Sequence, residues 1–478
     1  MKKVRLVLIG FLAAAALGGT WYGWRAQQRS AFLRTAAPAR PDVTGRSPEL
    51  VGRIAEAERA LADGPRRIEA LRELSQLYHA NGFYPEATQC YQSLIALEPR
   101  EARWPHRAAD IFAGYGQLEE AVPLWRRAVE LDPSYLPAGI RLGDALLKLN
   151  AFDEAAAAYQ AVLSRASNNP YALVGLARVD AQAQRWTQAR DRLEKASNES
   201  GLTIGADLLV TVYEKLNQRT QAEALRGRTK ASGSFFDPSD PWLDEVYEDC
   251  YDAYRLSLVA GAVQRAGDAT KGLRLLQRAV ALSPNTASLH YQLGTTLGAM
   301  NDRRASLRSL EKVVQLDPSF SDGWIQLIET HKLMGQRDAA DRALTSGLAY
   351  NPKSPGLHLE RGRRLAADKR YDEAVVHLNR SIELRPEEAE AYVEIAKIYF
   401  AQEQLERAGA ELERALKAEP ANPVALTTLA LFTISTGNQA QADRWVEQIR
   451  LQPRVKPEQR AQLREMYQQQ FGRTPAGL

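Results

Sequence analysis

The sequence predicts an all-α solenoid, a stack of about eleven helix–turn–helix repeats with a cap helix at each end. Three observations predict it. Prolines recur at a fixed interval: Pro284, Pro318, Pro352, Pro386 and Pro420 stand 34 residues apart, and Pro99 and Pro133 share that spacing upstream. Between the prolines each unit carries two apolar stripes at helical spacing. Ala, Leu, Arg, Glu and Gln dominate, with only 31 Gly and 23 Pro in 478 residues, a mixture that favours helices over strands.

Taken in order, residues 1–24 contain an uncharged run, Leu6 to Trp24, preceded by Lys2, Lys3 and Arg5. As a helix it just reaches across a hydrocarbon core of about 30 Å. Trp21, Tyr22 and Trp24 lie at its far end, where amphipathic aromatics favour an interface. The run is read as a single-pass membrane anchor with the body on the periplasmic or extracytoplasmic side. A cleaved signal peptide, with Ala14-Ala15-Ala16 as the cleavage site, is the competing reading. Residues 25–47, with Pro38, Pro41 and several arginines, read as a tether.

A cap helix over 48–62 with Leu50, Ile54, Ala57 and Leu61 on one face then opens a first array spanning 48–228. The unit from 389 shows the repeat pattern. Tyr392, Ile395, Ala396 and Tyr399 fall on one helical face, and Ala408, Leu412 and Ala415 on a second. The small residues stand where two helices approach closely, and the closing proline cannot continue its helix. In the unit from 102, Ala108, Ala109, Phe112, Gly116, Ala121, Trp125, Ala128 and Pro133 hold the corresponding positions. Other units start near Ile68, Leu136, Pro170, Ala253, Ala287, Ser321, Pro355, Ala389 and Pro423, and a poor one near 203. This pattern resembles the tetratricopeptide repeat (TPR) superfamily over most of the chain. The resemblance implies a right-handed superhelix whose first helices line a concave, partner-binding groove. A second array fills 253–456, and residues 457–478 supply a cap helix with Ala461, Leu463, Tyr467 and Phe471, then a tail.

The period breaks once, at an insertion over 229–252. Ser232-Gly233-Ser234 opens it as a loop. Asp240 is placed to cap a helix with Pro241 at its first position. Seven carboxylates and no basic residue lie between Asp237 and Asp252, interleaved with aromatics. Leu243, Val246, Tyr247, Cys250 and Tyr254 form a helical stripe. One reading is a helix that packs over the weak repeat and joins the arrays. The other is an acidic–aromatic docking surface made by Trp242, Asp244, Glu245, Tyr247, Glu248 and Tyr251. In the second array the groove positions implied by the resemblance include Tyr254, Gln264, Arg265, Tyr291, Asp322, Glu329, Lys332, Arg363, Glu390, Lys397 and Phe400. Of these Tyr291, Lys332, Arg363 and Lys397 are candidate contacts for a protein or peptide partner. The Asn positions of the family's carboxylate clamp do not hold Asn, which argues against a chaperone-tail receptor.

The net charge of +4 is misleading, because residues 1–48 carry eight basic residues against one acidic. The remainder holds 54 basic against 57 acidic, so no global attraction for nucleic acid is expected. No phosphate loop, H-E-x-x-H or C-x-x-C motif occurs. No cofactor, metal or small-molecule substrate is expected. His331 falls on a core position and reads as a packed ring. Cys90 and Cys250 lie in different parts of an extended stack, too far apart for a disulfide. The sequence therefore reads as a membrane-tethered, non-catalytic scaffold that assembles a cell-envelope complex. An enzyme or ligand receptor using the 229–252 insertion is the alternative.

Overall fold

The computed structural model describes residues 38–63, 66–200, 205–219, 221–222, 225, 238–265, 267–450, 452 and 455–475. Among them are 24 α-helices and no strand. Two compact units are present, each a run of helix pairs. The first comprises the described residues of Met1–Gly205 and Phe236–Leu256, the second those of Ala206–Phe235 and Ser257–Leu478.

In the first unit the helices are α1 (Pro48–Asp63), α2 (Arg67–Ala80), α3 (Tyr84–Leu97), α4 (Arg103–Gly114), α5 (Leu118–Leu131), α6 (Leu136–Lys148), α7 (Phe152–Leu163), α8 (Pro170–Gln182) and α9 (Trp186–Ser200). After α10 (Ala206–Lys215) of the second unit, the chain returns to the first with α11 (Pro241–Tyr247) and the start of α12 (Ala253–Arg265). The second unit continues with α13 (Ala269–Leu282), α14 (Ala287–Ala299), α15 (Arg303–Leu316), α16 (Ser321–Leu333), α17 (Arg337–Tyr350), α18 (Pro355–Ala367), α19 (Tyr371–Leu384), α20 (Ala389–Ala401), α21 (Leu405–Ala418), α22 (Pro423–Ser435), α23 (Gln439–Arg450) and α24 (Pro457–Phe471). The first helix of each repeat starts at or next to the position that the proline period predicts. The exception is Ala206, three residues beyond 203.

Local chemistry explains the boundaries. Asn169, Ser354 and Asn422 cap helices that have proline at the first position. Within each pair the chain reverses on one left-handed residue. Gly82, Gly116, Asn150 and Gln184 hold φ of 86, 76, 59 and 56°; Gly267, Asn301, Gly335, Lys369, Glu403 and Gly437 hold 94, 65, 71, 61, 60 and 72°. Each group keeps the 34-residue interval. At Asn150 the reversal satisfies the helix end: Asn150 N–H donates to the Leu147 carbonyl at 3.1 Å and Ala151 N–H to that of Leu146 at 2.9 Å.

Packing follows the predicted stripes. Leu50, Ile54, Ala57 and Leu61 of α1 are all buried, and α24 buries Leu463 and Tyr467 while Ala461 stays exposed. The small positions are needed sterically. A Cβ on Gly143 or Gly175 would come within 2.6 or 2.3 Å of the Tyr159 ring, which is wedged between them. His331 is buried, with Nδ1 2.7 Å from Gln336 Oε1.

Two expectations are corrected here. Among the described residues no helix is long and apolar enough to cross a membrane. The membrane tether, the single-pass topology, the periplasmic placement and the membrane as a partner are therefore withdrawn; residues 1–24, on which they rested, lie outside the described residues. Cys90 and Cys250 are both free and buried, but both belong to the first unit. The premise that they occupy separate parts of an extended stack does not hold, because the described residues 238–256 fold back.

Candidate functional site

The described part of the insertion, 238–252, lies against the first helices α2 and α4 and the start of α6. Asp240 caps α11, accepting from Leu243 N–H at 3.3 Å, with Pro241 next as the sequence predicts. The Asp240 side chain is buried, with one oxygen 2.9 Å from His106 Nε2 and the other 2.5 Å from the Tyr135 hydroxyl. Burial would raise this carboxyl, but the His106 and Tyr135 hydrogen bonds outweigh it and hold it below its ordinary value. Trp242 is half-buried and lies flat on Tyr135. Its backbone N–H donates to the Tyr135 hydroxyl at 2.9 Å, and its carbonyl accepts from Arg107 Nε at 2.9 Å.

Further along, Glu245 accepts from Arg107 at 2.7 Å and sits 3.6 Å from Arg103. Gln76 donates to the Glu245 carbonyl at 3.2 Å. Asn81 grips the backbone in both directions: its amide donates to the Asp249 carbonyl at 2.9 Å and accepts from Tyr251 N–H at 2.7 Å. Arg53 pairs with Asp249 at 2.5 Å, and Arg46 with Asp252 at 3.3 Å. The Tyr251 hydroxyl lies 3.3 Å from Arg53 and 3.4 Å from Glu49. Tyr247 is mostly buried, which pushes its hydroxyl pKa up. Asp244 is half-buried and Glu248 exposed. Of the proposed stripe, Leu243, Val246 and Cys250 are buried, but Tyr254 is 71% exposed. Helix α11 stops at Tyr247, and the break before Ala253 resets the phase.

In the second unit the candidate residues fall on first helices that touch one another in order, α16, α18 and α20. Lys332 bridges Glu329 at 2.9 Å and Glu360 at 3.0 Å. Arg363 contacts Glu360 at 2.9 Å, Glu390 at 3.1 Å and Glu394 at 3.1 Å. Lys397 closes the row on Glu394 at 3.0 Å. Glu360 and Glu394 are only 13% and 16% exposed, so these two form the floor, and the cations share the outer layer with the exposed Glu329 and Glu390. Beside Lys332 and Arg363 a cavity of about 360 Å³ opens, lined also by Ile328, Leu344, Asp341 and Arg364. Lys332, Arg363 and Lys397 are thus brought together. Tyr291 stands apart on α14, 5.0 Å from the Phe320 ring.

Sequence reasoning missed Asn81, His106, Arg107 and Tyr135, and the floor carboxylates Glu360 and Glu394. The last two share one repeat position 34 residues apart, a signal open to inspection. Among the described residues no group of three or more His, Cys, Asp or Glu could hold a metal ion.

Sequence models of a family described as "Tetratricopeptide repeat" match residues 149–201, 287–320 and 365–420. The chain is 28% identical over 140 residues to the wheat (Triticum aestivum) "Hsp70-Hsp90 organizing protein", covering 28% of this chain and 24% of that protein. It is 27% identical over 269 residues to "Cellulose synthase 1 operon protein C" of Komagataeibacter xylinus, covering 52% of this chain and 19% of that one. The match therefore spans only about a fifth to a quarter of these relatives. Among solved structures, yeast Tom70 aligns with a TM-score of 0.40 and 15% identity, covering 85% of this chain and 97% of Tom70.

Proposed function

We propose that this chain is a non-catalytic interaction scaffold whose second unit holds an extended protein segment along the first-helix face of α16, α18 and α20. The observation that carries this is the row Glu329, Lys332, Glu360, Arg363, Glu390 and Glu394, and Lys397. Stacked repeats present such rows at regular intervals, and an extended ligand matches a linear array of contacts. The ion pairs hold the long cations in fixed geometry, so less side-chain entropy is lost on binding. Lys332, Arg363 and Lys397 reach the outer layer beside Glu329 and Glu390; the segment best accommodated meets these three cations with acidic side chains at intervals, and the cavity beside Lys332 takes an apolar one.

A displayed library of random peptides, selected on the full chain, tests the reading. Acidic peptides with an apolar anchor are expected to be enriched. The triple variant Lys332→Ala, Arg363→Ala, Lys397→Ala should lose that enrichment while keeping its helical circular dichroism. Equal enrichment on a folded triple variant would place the binding face elsewhere.

A further inference from the structure

The geometry points to a second binding site in the first unit: the first-helix face of α2, α4 and α6 is a groove for an acidic, tryptophan-bearing protein segment, and residues 240–252 are its built-in occupant. We propose that a partner segment with the chemistry of Asp-Pro-Trp-x-x-Glu engages this groove by displacing them. The proposal is independent of the charge row in the second unit.

Residues 240–252 are held as a bound peptide is held. Neighbouring repeats pack through apolar stripes, but here side chains of two successive repeats, the last of them at the junction with a third, reach the segment's backbone. Arg107 binds the Trp242 carbonyl, Gln76 that of Glu245, Asn81 the Asp249 carbonyl and the Tyr251 N–H, and Tyr135 the Trp242 N–H. Main-chain bonds of this kind give affinity, while pockets for alternate side chains give specificity. The pocket here is occupied by Trp242, stacked on Tyr135 with the His106 ring edge-on at 5.6 Å.

The groove's own buried polar side chains make the stronger argument. Arg107 is 1% exposed and His106 fully buried. Their hydrogen-bonding partners are Trp242 O, Glu245 and Asp240, all on the segment. Burying the Arg107 guanidinium is costly unless an anion meets it, a buried His106 ring needs a hydrogen-bond partner, and stacking of repeats gives no reason to place either residue there. Arg53 and Arg46 extend the same complementarity to Asp249 and Asp252. The face is built for acid groups, and the chain supplies them from more than 100 residues away, 134 in the case of His106 and Asp240.

An occupant on the same chain acts at an effective concentration on the order of millimolar. A partner's apparent affinity is lowered by the fraction of time the groove is open. Removing the occupant's anchors should therefore raise affinity for the same sequence added in trans.

The test uses a fluorescein-labelled peptide of residues 238–252 and the full chain. Wild type should bind it weakly by anisotropy. The variant Asp240→Ala with Trp242→Ala should bind at least ten-fold more tightly, and adding Arg107→Ala should abolish the gain. A folded double variant that binds no better than wild type would make the segment a structural strut and overturn the proposal. Hydrogen exchange on the wild-type chain decides the case if the variant does not fold. Opening of 240–252 ahead of α2 and α4, and faster still with excess peptide, is expected. Exchange of all three in one cooperative step would overturn the proposal. A concentration-dependent dimer lost on Trp242→Ala would also overturn it, by assigning the occupant to a second copy.

Discussion

The indole of Trp242 lies on the phenol of Tyr135 with ring centroids 3.4 Å apart and planes 5° from parallel. The same phenol hydroxyl accepts from Trp242 N–H and donates to Asp240. One side chain therefore binds the segment through its ring and through its oxygen, and the two contributions can be separated. Tyr135→Phe keeps the stack and leaves the buried Asp240 carboxylate with His106 and the Leu243 N–H as partners. A lost hydrogen bond to a charged group is worth about 1.5–3 kcal/mol. Tyr135→Ala should cost about 0.5–1.5 kcal/mol more for the ring contact. Local exchange rates at Leu243 and Tyr251 read both losses. Equal effects of the two variants would show that the ring contributes nothing.

A pH dependence of the first unit follows from His79. Its ring is buried against Tyr84 and Tyr91, with Nδ1 3.1 Å from the Tyr91 hydroxyl. Burial first, then the charges of Arg107, Arg255 and His106, lower its pKa to about 3. The unfolded chain takes up a proton below about pH 6.5 that the folded chain refuses, so stability falls as pH drops from 6.5 towards 3. The slope approaches about 1.4 kcal/mol per pH unit. Urea denaturation at pH 7.5 and 5.5 should differ by about that amount from this ring, and His79→Gln should remove the difference.

The reversal residues give a prediction of opposite signs. Lys369 and Glu403 hold φ of 61 and 60°, where Gly335 holds 71° in the same register. A non-glycine residue in the left-handed region costs roughly 1–2 kcal/mol. Lys369→Gly and Glu403→Gly should each stabilise the second unit, by somewhat less than that, because glycine also gains freedom in the unfolded chain. Gly335→Ala should destabilise it by a similar amount; no atoms crowd a Cβ there, so the effect isolates the backbone. Thermal unfolding of the three variants measures the contrast.

These turns also show what the sequence could and could not disclose. Helix starts were legible because proline and capping residues act locally, and cap stripes such as Leu50, Ile54, Ala57 and Leu61 because burial repeats at helical spacing. The reversal positions were partly legible: with Asn217 after α10, at φ 57°, Gly and Asn mark eight of the eleven described, but Gln184, Lys369 and Glu403 carry no conformational signature. The destination of the insertion was not legible. Its contacts join residues such as Arg53 and Asp249, 196 apart, and neither composition nor period specifies which groove an acidic segment enters. Tyr254 was misplaced for a local reason, since spacing alone cannot show that a helix stops at Tyr247 and restarts at Ala253.

The charge row predicts salt-dependent stability in the second unit, centred on Arg363. This guanidinium meets three carboxylates, and Glu360 and Glu394 are mostly buried. Arg363→Gln would leave the floor carboxylates facing one another with only Lys332 and Lys397 at the ends. Arg363 is about a third exposed, so solvent screening reduces the loss, to about 1–2 kcal/mol. Repulsion among the remaining carboxylates is screened over about 10 Å at 0.1 M salt and about 3 Å at 1 M. Raising salt should therefore recover part of the stability in Arg363→Gln while slightly weakening wild type. Arg363→Lys, a point charge without the planar fork, should fall between them. Denaturation curves of the three proteins at the two salt concentrations check this, and parallel salt responses would show that the row contributes no net electrostatic stability.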